Sequence, residues 1–117
     1  MQLKRIVRAL DLEYLTPAVE SPDSLDFTAG HASDLLSDVL ANAPQGSILV
    51  TIQVHMNVIA VALHAGIAAV VFASGMKPEK AVLDKAVEEK LPLYRSKEPT
   101  FNVAGSLYSL GIRGNKE

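Results

Sequence analysis

The sequence predicts an α/β domain of three layers, in which a mainly parallel sheet of four or five strands has helices on both faces. Strand-like and helix-like segments alternate from Leu25 to Ile112 and are joined by short turns, which is the pattern of parallel strands with crossover helices. Two segments, Ser47–Gln53 and Ala69–Ala73, are almost continuously apolar, as strands buried on both faces are. With 117 residues, the chain is expected to form a single domain over residues 1–117.

The chain is expected to start with a helix over Leu3–Leu10, because apolar residues recur there at helical spacing. A short extended piece follows at Glu13–Leu15, before a surface loop over residues 18–25 that is rich in turn-forming residues. A strand is then predicted over Leu25–Thr28, and it ends at Gly30.

The next helix is predicted to begin at the capping residues Ser33 and Asp34 and to end in the turn Asn42–Gly46. The strand Ser47–Gln53 follows this turn. An alanine- and valine-rich helix over Asn57–Ala65 comes next and stops at a glycine.

The last third of the chain repeats the alternation after the strand Ala69–Ala73. Pro78 suits the first position of a helix, and Leu91–Tyr94 reads as a short strand. Thr100 caps a final helix, after which the polar tail Arg113–Glu117 is expected to fray.

Composition and charge narrow the function classes. The net charge of −2 and the pI of about 5.9 do not favour a nucleic-acid or membrane-surface partner. The absence of cysteine excludes disulfides, thiol nucleophiles and cysteine-based zinc sites. The longest apolar segment, Val58–Leu63, is much shorter than the ~20 residues that span a bilayer. We therefore expect a cytoplasmic protein with neither nucleic-acid nor membrane partners.

Small, polar and ionisable residues follow four of the predicted strands. In open parallel sheets, ligands bind outside the carboxyl ends of the strands, so these residues predict a small-molecule site. The ligand-binding candidates are Gly30, His31, Gln53, His55, Asn57, Ser74, Gly75 and Arg95. We expect His55, Asn57 and Ser74 to face a common polar cleft. The alternative is that loops are polar in any protein and that residues such as Asn57 and Ser74 cap helices.

The chemistry of these residues stays open at the level of sequence. His31 and His55, together with Asp34, could ligate a metal or transfer a proton, but no HxH or HExxH spacing accompanies them. The sequence also contains no phosphate loop, no GxGxxG turn and no GxSxG elbow. We therefore expect no metal and no cofactor, assign no catalytic residue, and favour a domain that is not an enzyme.

The segment Asp26–Gly30 (DFTAG) and the residues HASDLLSDV that follow it resemble the DRTGG domain. Phe27 stands where the five-residue motif of that family has Arg, and Ala29 stands where it has Gly. The resemblance continues through Thr51–Gly75 and through Ala104–Ile112, so it covers nearly the whole chain. The chain is similar to free-standing members of the family.

The resemblance implies regulation. DRTGG domains occur beside CBS domains in regulated pyrophosphatases and in the regulatory part of long phosphotransacetylases, and they resemble the amino-terminal domain of HPr kinase/phosphorylase. In each setting the catalytic machinery lies elsewhere, and the family offers no agreed catalytic residue. Because Phe27 replaces the Arg of the motif, the resemblance gives less support to anion binding by this segment.

Three functions are consistent with these observations. The first is a homodimeric regulatory or interaction domain that serves a larger metabolic assembly through a protein partner. The second is a sensor that binds a nucleotide or a phosphorylated metabolite at the carboxyl edge of the sheet. The third is a phosphotransferase that works through His31 or His55. Phe27 is the predicted dimer contact, and the alternative is that it fills the core between the sheet and a helix over Asp34–Ala41.

Overall fold

A computed structural model describes residues 1–20 and 24–115 of the chain. Within these ranges the chain forms five helices and five strands. In chain order they are α1 (Leu3–Leu10), β1 (Glu13–Tyr14), β2 (Gly30–Ala32), α2 (Leu36–Asn42), β3 (Ile48–Thr51), α3 (Asn57–Ala65), β4 (Ala69–Phe72), α4 (Lys80–Glu88), β5 (Leu93–Arg95) and α5 (Thr100–Ser109). Residues 21–23 of the predicted loop and residues 116 and 117 of the predicted tail lie outside the described ranges.

The strands form one sheet in the order β1-β5-β4-β3-β2. Strands β2 to β5 are parallel, and only the two-residue β1 runs antiparallel, against β5. The two apolar segments of the sequence are neighbours, with Leu49 of β3 opposite Val70 of β4. Every residue of these two central strands is buried. The predicted α/β fold with a mainly parallel sheet and helices on both faces is confirmed.

The helices divide between the two faces of the sheet according to whether they connect neighbouring parallel strands. Strands β2 to β5 follow one another across the sheet without a reversal, and right-handed crossovers then bring α2, α3 and α4 to the same face. Helices α1 and α5 cover the other face. The predicted helices on both faces are present, but the second face is covered by the first and last helices and not by crossover helices, because the strand order does not reverse.

The two faces have separate cores. Leu49 of β3 packs in a cluster with residues of α2, α3 and α4, which we call the crossover face. Its neighbours Ile48 and Val50 point the other way and pack with α1 and α5, on what we call the terminal-helix face. Successive side chains of a strand point to opposite faces, so one buried strand supplies both cores.

The segment Leu25–Thr28, which was predicted to be a strand, does not join the sheet. This segment is extended, but it pairs with the amino terminus: Leu3 N–H donates to the carbonyl oxygen of Leu25 at 2.8 Å, and Phe27 N–H donates to that of Met1 at 2.8 Å. The strand that joins the sheet is Gly30–Ala32. Gly30, which was expected to follow the strand, therefore forms part of it, as does His31.

Phe27 belongs to the core. Its exposed fraction is 2%, and it packs on the terminal-helix face with Leu3 and Ile6 of α1. The predicted dimer contact at Phe27 is therefore wrong. The alternative prediction, that Phe27 fills the core, is confirmed. Its expected neighbour is wrong, because the helix over Asp34–Ala41 lies on the crossover face and Phe27 packs on the terminal-helix face.

Several predicted helix starts move by one to three residues. Helix α2 begins at Leu36, and Ser33 Oγ accepts a hydrogen bond from Leu35 N–H at 3.2 Å. Asp34 caps no helix: its Oδ1 accepts hydrogen bonds from Ile52 N–H at 2.8 Å and from Thr51 Oγ1 at 3.0 Å. Asp34 thus ties the loop after β2 to the carboxyl end of β3.

The start of α4 also differs from the prediction, because the helix begins at Lys80 and not at Pro78. Thr100 is the first helical residue of α5, and Pro99 occupies the capping position. None of the helices in the described ranges combines the length and apolar character that crossing a membrane requires.

Candidate functional site

The structure distributes the predicted ligand-binding residues over three places. Ligand crevices of open parallel sheets form where the strand order reverses, and strands β2 to β5 of this sheet do not reverse. The three places are the open side of β2, the loop between β3 and α3, and the paired loops after β4 and β5. A common binding role for all eight residues stays a prediction.

The first place contains His31, whose side chain points to the crossover face. Its Nε2 lies 2.8 Å from Asp38 Oδ2 on α2. The amide of Asn42, together with His31 and Ser33, holds the pKa of Asp38 at about 2, below its ordinary value of 3.8. This contact attaches α2 to the edge strand β2, so the imidazole of His31 has a structural partner.

The second place is a cavity of about 450 Å³ between the β3–α3 loop and the start of α4. Gln53 and His55 lie in its wall, whereas Asn57 and Ser74 do not. His55 Nδ1 accepts a hydrogen bond from Asn57 N–H at 3.1 Å, which requires an unprotonated Nδ1. His55 thus caps the amino terminus of α3, a role that the sequence suggested for Asn57 itself.

The third place joins the loops after β4 and β5. Ser74 and Gly75 both have positive φ angles, 58° and 70°, and their N–H groups donate to the carbonyl oxygens of Glu98 and Ser96. Arg95, which was expected to follow β5, is its last residue. Its Nε donates to the carbonyl oxygen of Gly75 at 2.9 Å.

The charge of Arg95 is already balanced. Its Nη1 lies 2.8 Å from Glu13 Oε1 on β1, and this contact lowers the pKa of Glu13. The guanidinium therefore holds the antiparallel strand and the β4–α4 loop in place. An incoming anion would have to compete with Glu13 for this cation.

The open side of β2 borders a cavity that the sequence did not indicate. We call it the α5 cavity; its volume is about 190 Å³. It lies between α5 and the strands β2 and β3. The lining residues are Gly30, His31, Ala32, Val50, Ala104, Leu107, Tyr108, Ile112, Arg113 and Gly114.

Arg113 and Tyr108 give the α5 cavity its polar groups. The guanidinium carbon of Arg113 lies 3.7 Å from the centre of the Tyr108 ring, and its Nη1 donates to the carbonyl oxygens of Tyr108 and Ile112. The backbone of Arg113 forms a parallel bridge with Ala29 beside β2. The prediction of a frayed tail is therefore wrong at Arg113, because its backbone is bound to the sheet.

The sequence contains no pattern that singles out these two residues. Tyr108 lies within the predicted final helix, and Arg113 begins the predicted tail. Their meeting depends on the turn at Gly111, where a φ of 100° directs the chain back to the sheet. No group of three or more potential metal ligands among histidine, cysteine, aspartate and glutamate occurs in the described ranges.

Comparisons with known proteins agree with this fold. A solved structure of the CBS and DRTGG domains of the regulatory region of Clostridium perfringens pyrophosphatase, complexed with the activator diadenosine tetraphosphate, matches with a TM-score of 0.70. The match has 13% sequence identity and covers 91% of this chain but 45% of that chain, so it shows the fold alone. No curated protein matches. Residues 5–110 match the DRTGG domain, and the chain therefore belongs to the DRTGG domain family.

Proposed function

We propose that this chain is a non-catalytic regulatory domain that forms a homodimer through the outer face of α5 and serves a larger metabolic assembly. Family membership supports the regulatory role, since the similar solved structure is a regulatory region of a pyrophosphatase. The observation that carries the homodimer is the character of α5. None of its ten residues is charged, and two large side chains on it are exposed.

The outer face of α5 is defined by Phe101, Gly105 and Tyr108. They are spaced by four and three residues, so they lie on one side of the helix. The exposed fractions are 86% for Phe101 and 60% for Tyr108. Aromatic residues with such exposure are typical of the centre of a protein interface.

The same face carries a groove that is complementary to its own aromatic side chain. A groove of about 410 Å³ runs along α5 past Phe101, Gly105 and Ser109. A Cβ atom added at Gly105 would meet no heavy atom within 4 Å. An antiparallel pair of α5 helices about a two-fold axis would place each Phe101 beside Gly105 of the partner subunit.

Charge also favours a second copy as the occupant of this face. Around a two-fold axis, each group lies near its own counterpart, so a charged face repels itself. The outer faces of α1 and α4 carry such charges, for example Lys4 and Arg5 on α1 and Lys85 on α4. No residue within α5 is charged, and the charges nearest its outer face are Glu98, which lines one end of the groove, and Arg113, which lies over Tyr108. Self-contact along the middle of α5 therefore brings no like charges together.

Light scattering across a range of protein concentrations tests this proposal. The wild type is expected to approach about twice the 12.5 kDa chain mass as the concentration rises. Phe101→Glu should give a folded monomer, because it removes the exposed aromatic ring and places a carboxylate in the apolar contact beside Gly105 of the partner subunit. Leu35→Glu is the matched control, since Leu35 has an exposed fraction of 65% but lies before α2, on the crossover face.

Two results would contradict the proposal. A wild type that stays monomeric at high concentration would remove the homodimer. A dimer that Leu35→Glu dissociates and Phe101→Glu does not would assign the contact to the crossover face. Circular dichroism of each variant shows that the fold is retained.

A further inference from the structure

We propose that the α5 cavity is a binding site for a flat ring that carries an anionic group, the chemistry of a purine nucleoside monophosphate. This inference concerns a ligand and does not depend on the homodimer. It rests on the size and lining of the cavity, on the backbone groups of Ala32 at the edge of β2, and on the guanidinium of Arg113.

The size and lining of the cavity suit a ring. Small residues leave room for it: Ala32 on the strand and Ala104 on the helix both line the cavity, together with Val50 and Leu107. A dry cavity of ~150 Å³ is enough to hold benzene. The α5 cavity, at about 190 Å³, therefore admits a ring but is too small for a whole nucleotide, whose phosphate would remain at the mouth.

The edge of β2 supplies backbone hydrogen-bonding groups. The N–H of Gly30 points away from β3 and donates to the carbonyl oxygen of Arg113 at 2.9 Å. Backbone directions alternate along a strand, so the N–H and C=O of Ala32 point to the same open side. Within the described ranges, the backbone hydrogen-bonded to this side of β2 is that of Arg113, at Gly30, and it does not extend to Ala32. A donor and an acceptor are thus available to the edge of a heterocyclic ring, which an unsubstituted aromatic ring could not use.

Arg113 supplies the anion-binding group. Within the described ranges, its Nη1 donates to the carbonyl oxygens of Tyr108 and Ile112. Nε and Nη2 donate to no other residue in the described part of the chain, and no carboxylate there forms an ion pair with this guanidinium. Arg95 differs from Arg113 in this respect, because its guanidinium forms an ion pair with Glu13. The free N–H groups of Arg113 can therefore bind a phosphate oxygen at the cavity mouth.

The proposal is tested by isothermal titration calorimetry of the full chain with AMP, adenosine and inorganic phosphate. AMP is expected to bind at least tenfold more tightly than either adenosine or inorganic phosphate, because only AMP has both the ring and the anion. Arg113→Gln should weaken AMP binding at least tenfold and leave adenosine binding unchanged. Arg5→Gln, which removes an exposed cation on α1, is the control and should change neither.

A second pair of variants tests the cavity itself. Ala104→Leu should fill it and abolish AMP binding, and Ala32→Leu should do the same from the exposed strand if the helix variant fails to fold. The proposal is overturned if AMP does not bind at millimolar concentration, or if these folded variants bind it normally. Repeating the titration on Phe101→Glu separates the two proposals. If this variant is monomeric and still binds AMP, the binding site does not depend on the homodimer. If the wild type is itself monomeric, only the homodimer proposal is overturned.

Discussion

The two faces of the sheet differ in how completely their helices cover them. On the crossover face, α2 contacts α3 and α3 contacts α4, so three helices form a continuous layer. On the terminal-helix face, the part of the chain that the structure describes has two helices, α1 and α5. The α5 cavity lies on this second face, beside the edge strand β2.

The difference follows from what each set of helices must do. A crossover helix has to span two neighbouring parallel strands, so α2, α3 and α4 are spaced by the strands that they connect. Helices α1 and α5 connect nothing across the parallel strands and are free to leave part of their face uncovered. Both proposals, the α5 contact and the α5 cavity, therefore concern the less covered face.

The largest expected effect compares one phenylalanine from each face. Phe27 is buried on the terminal-helix face and Phe72 is buried on the crossover face. Phe27→Ala and Phe72→Ala should each lower the free energy of unfolding by about 3–5 kcal/mol in urea denaturation, because each leaves a cavity in a packed core. A loss of less than ~1 kcal/mol for Phe27→Ala would place Phe27 at the surface.

A smaller effect is expected where a polar contact closes the end of the sheet. Asp34→Ala removes the acceptor of Ile52 N–H and leaves the buried hydroxyl of Thr51 without its carboxylate partner. Because hydrogen bonds to a charged group contribute ~1.5–3 kcal/mol, urea denaturation should show a loss of about 2 kcal/mol. Asp84→Ala, which breaks an exposed pair with Lys80 on α4, should change stability little. Equal losses for the two variants would contradict a tie at Asp34.

Most of the fold could be predicted because it depends on local patterns. The apolar runs of β3 and β4 and the helical spacing of α1 need no tertiary information. Strand β2 could not be found in this way, because its sequence, Gly30–Ala32, has low strand propensity. The more strand-like segment Leu25–Phe27 pairs instead with the amino terminus, a contact that only the folded chain reveals.

The site was harder to predict for a physical reason. The rule that ligands collect at the strand ends applies where the order of the strands reverses, and sequence does not show the order. His55 and Arg95 do lie at strand ends, but one caps α3 and the other pairs with Glu13. Tyr108 and Arg113 meet only because the chain turns at Gly111, so no spacing in the sequence indicates their cavity.

A third prediction separates stability from function on the terminal-helix face. Gly105 lies in the interior of α5 in open space, so Gly105→Ala should raise the free energy of unfolding by about 0.5–1 kcal/mol. The added methyl group also intrudes on the groove, so self-association should weaken. Urea denaturation in a Phe101→Glu background measures the first effect on the monomer, and light scattering of Gly105→Ala alone measures the second.

The matched control for this prediction is Gly111→Ala. Gly111 has a φ of 100°, which side-chain-bearing residues rarely adopt, so this variant should be destabilised. If Gly105→Ala also destabilises the monomer, α5 is not the open helix described above. If it stabilises the monomer and leaves self-association unchanged, the dimer contact lies elsewhere.

The smallest expected effect is a pH dependence on the crossover face. The amide of Asn42 and the side chains of His31 and Ser33 hold the pKa of Asp38 at about 2, below the ordinary value of 3.8 that applies to the unfolded chain. The folded state therefore binds this proton less readily than the unfolded state does. The stabilisation is complete above the ordinary pKa and is lost as the pH falls toward the folded-state pKa.

Between about pH 4 and about pH 2, the Tm of the wild type should fall more steeply than that of Asp38→Asn, which has no carboxylate to protonate. Asp84→Asn, at the exposed pair on α4, should follow the wild type. Parallel curves for the wild type and Asp38→Asn would show that the contact between α2 and β2 contributes nothing to acid stability.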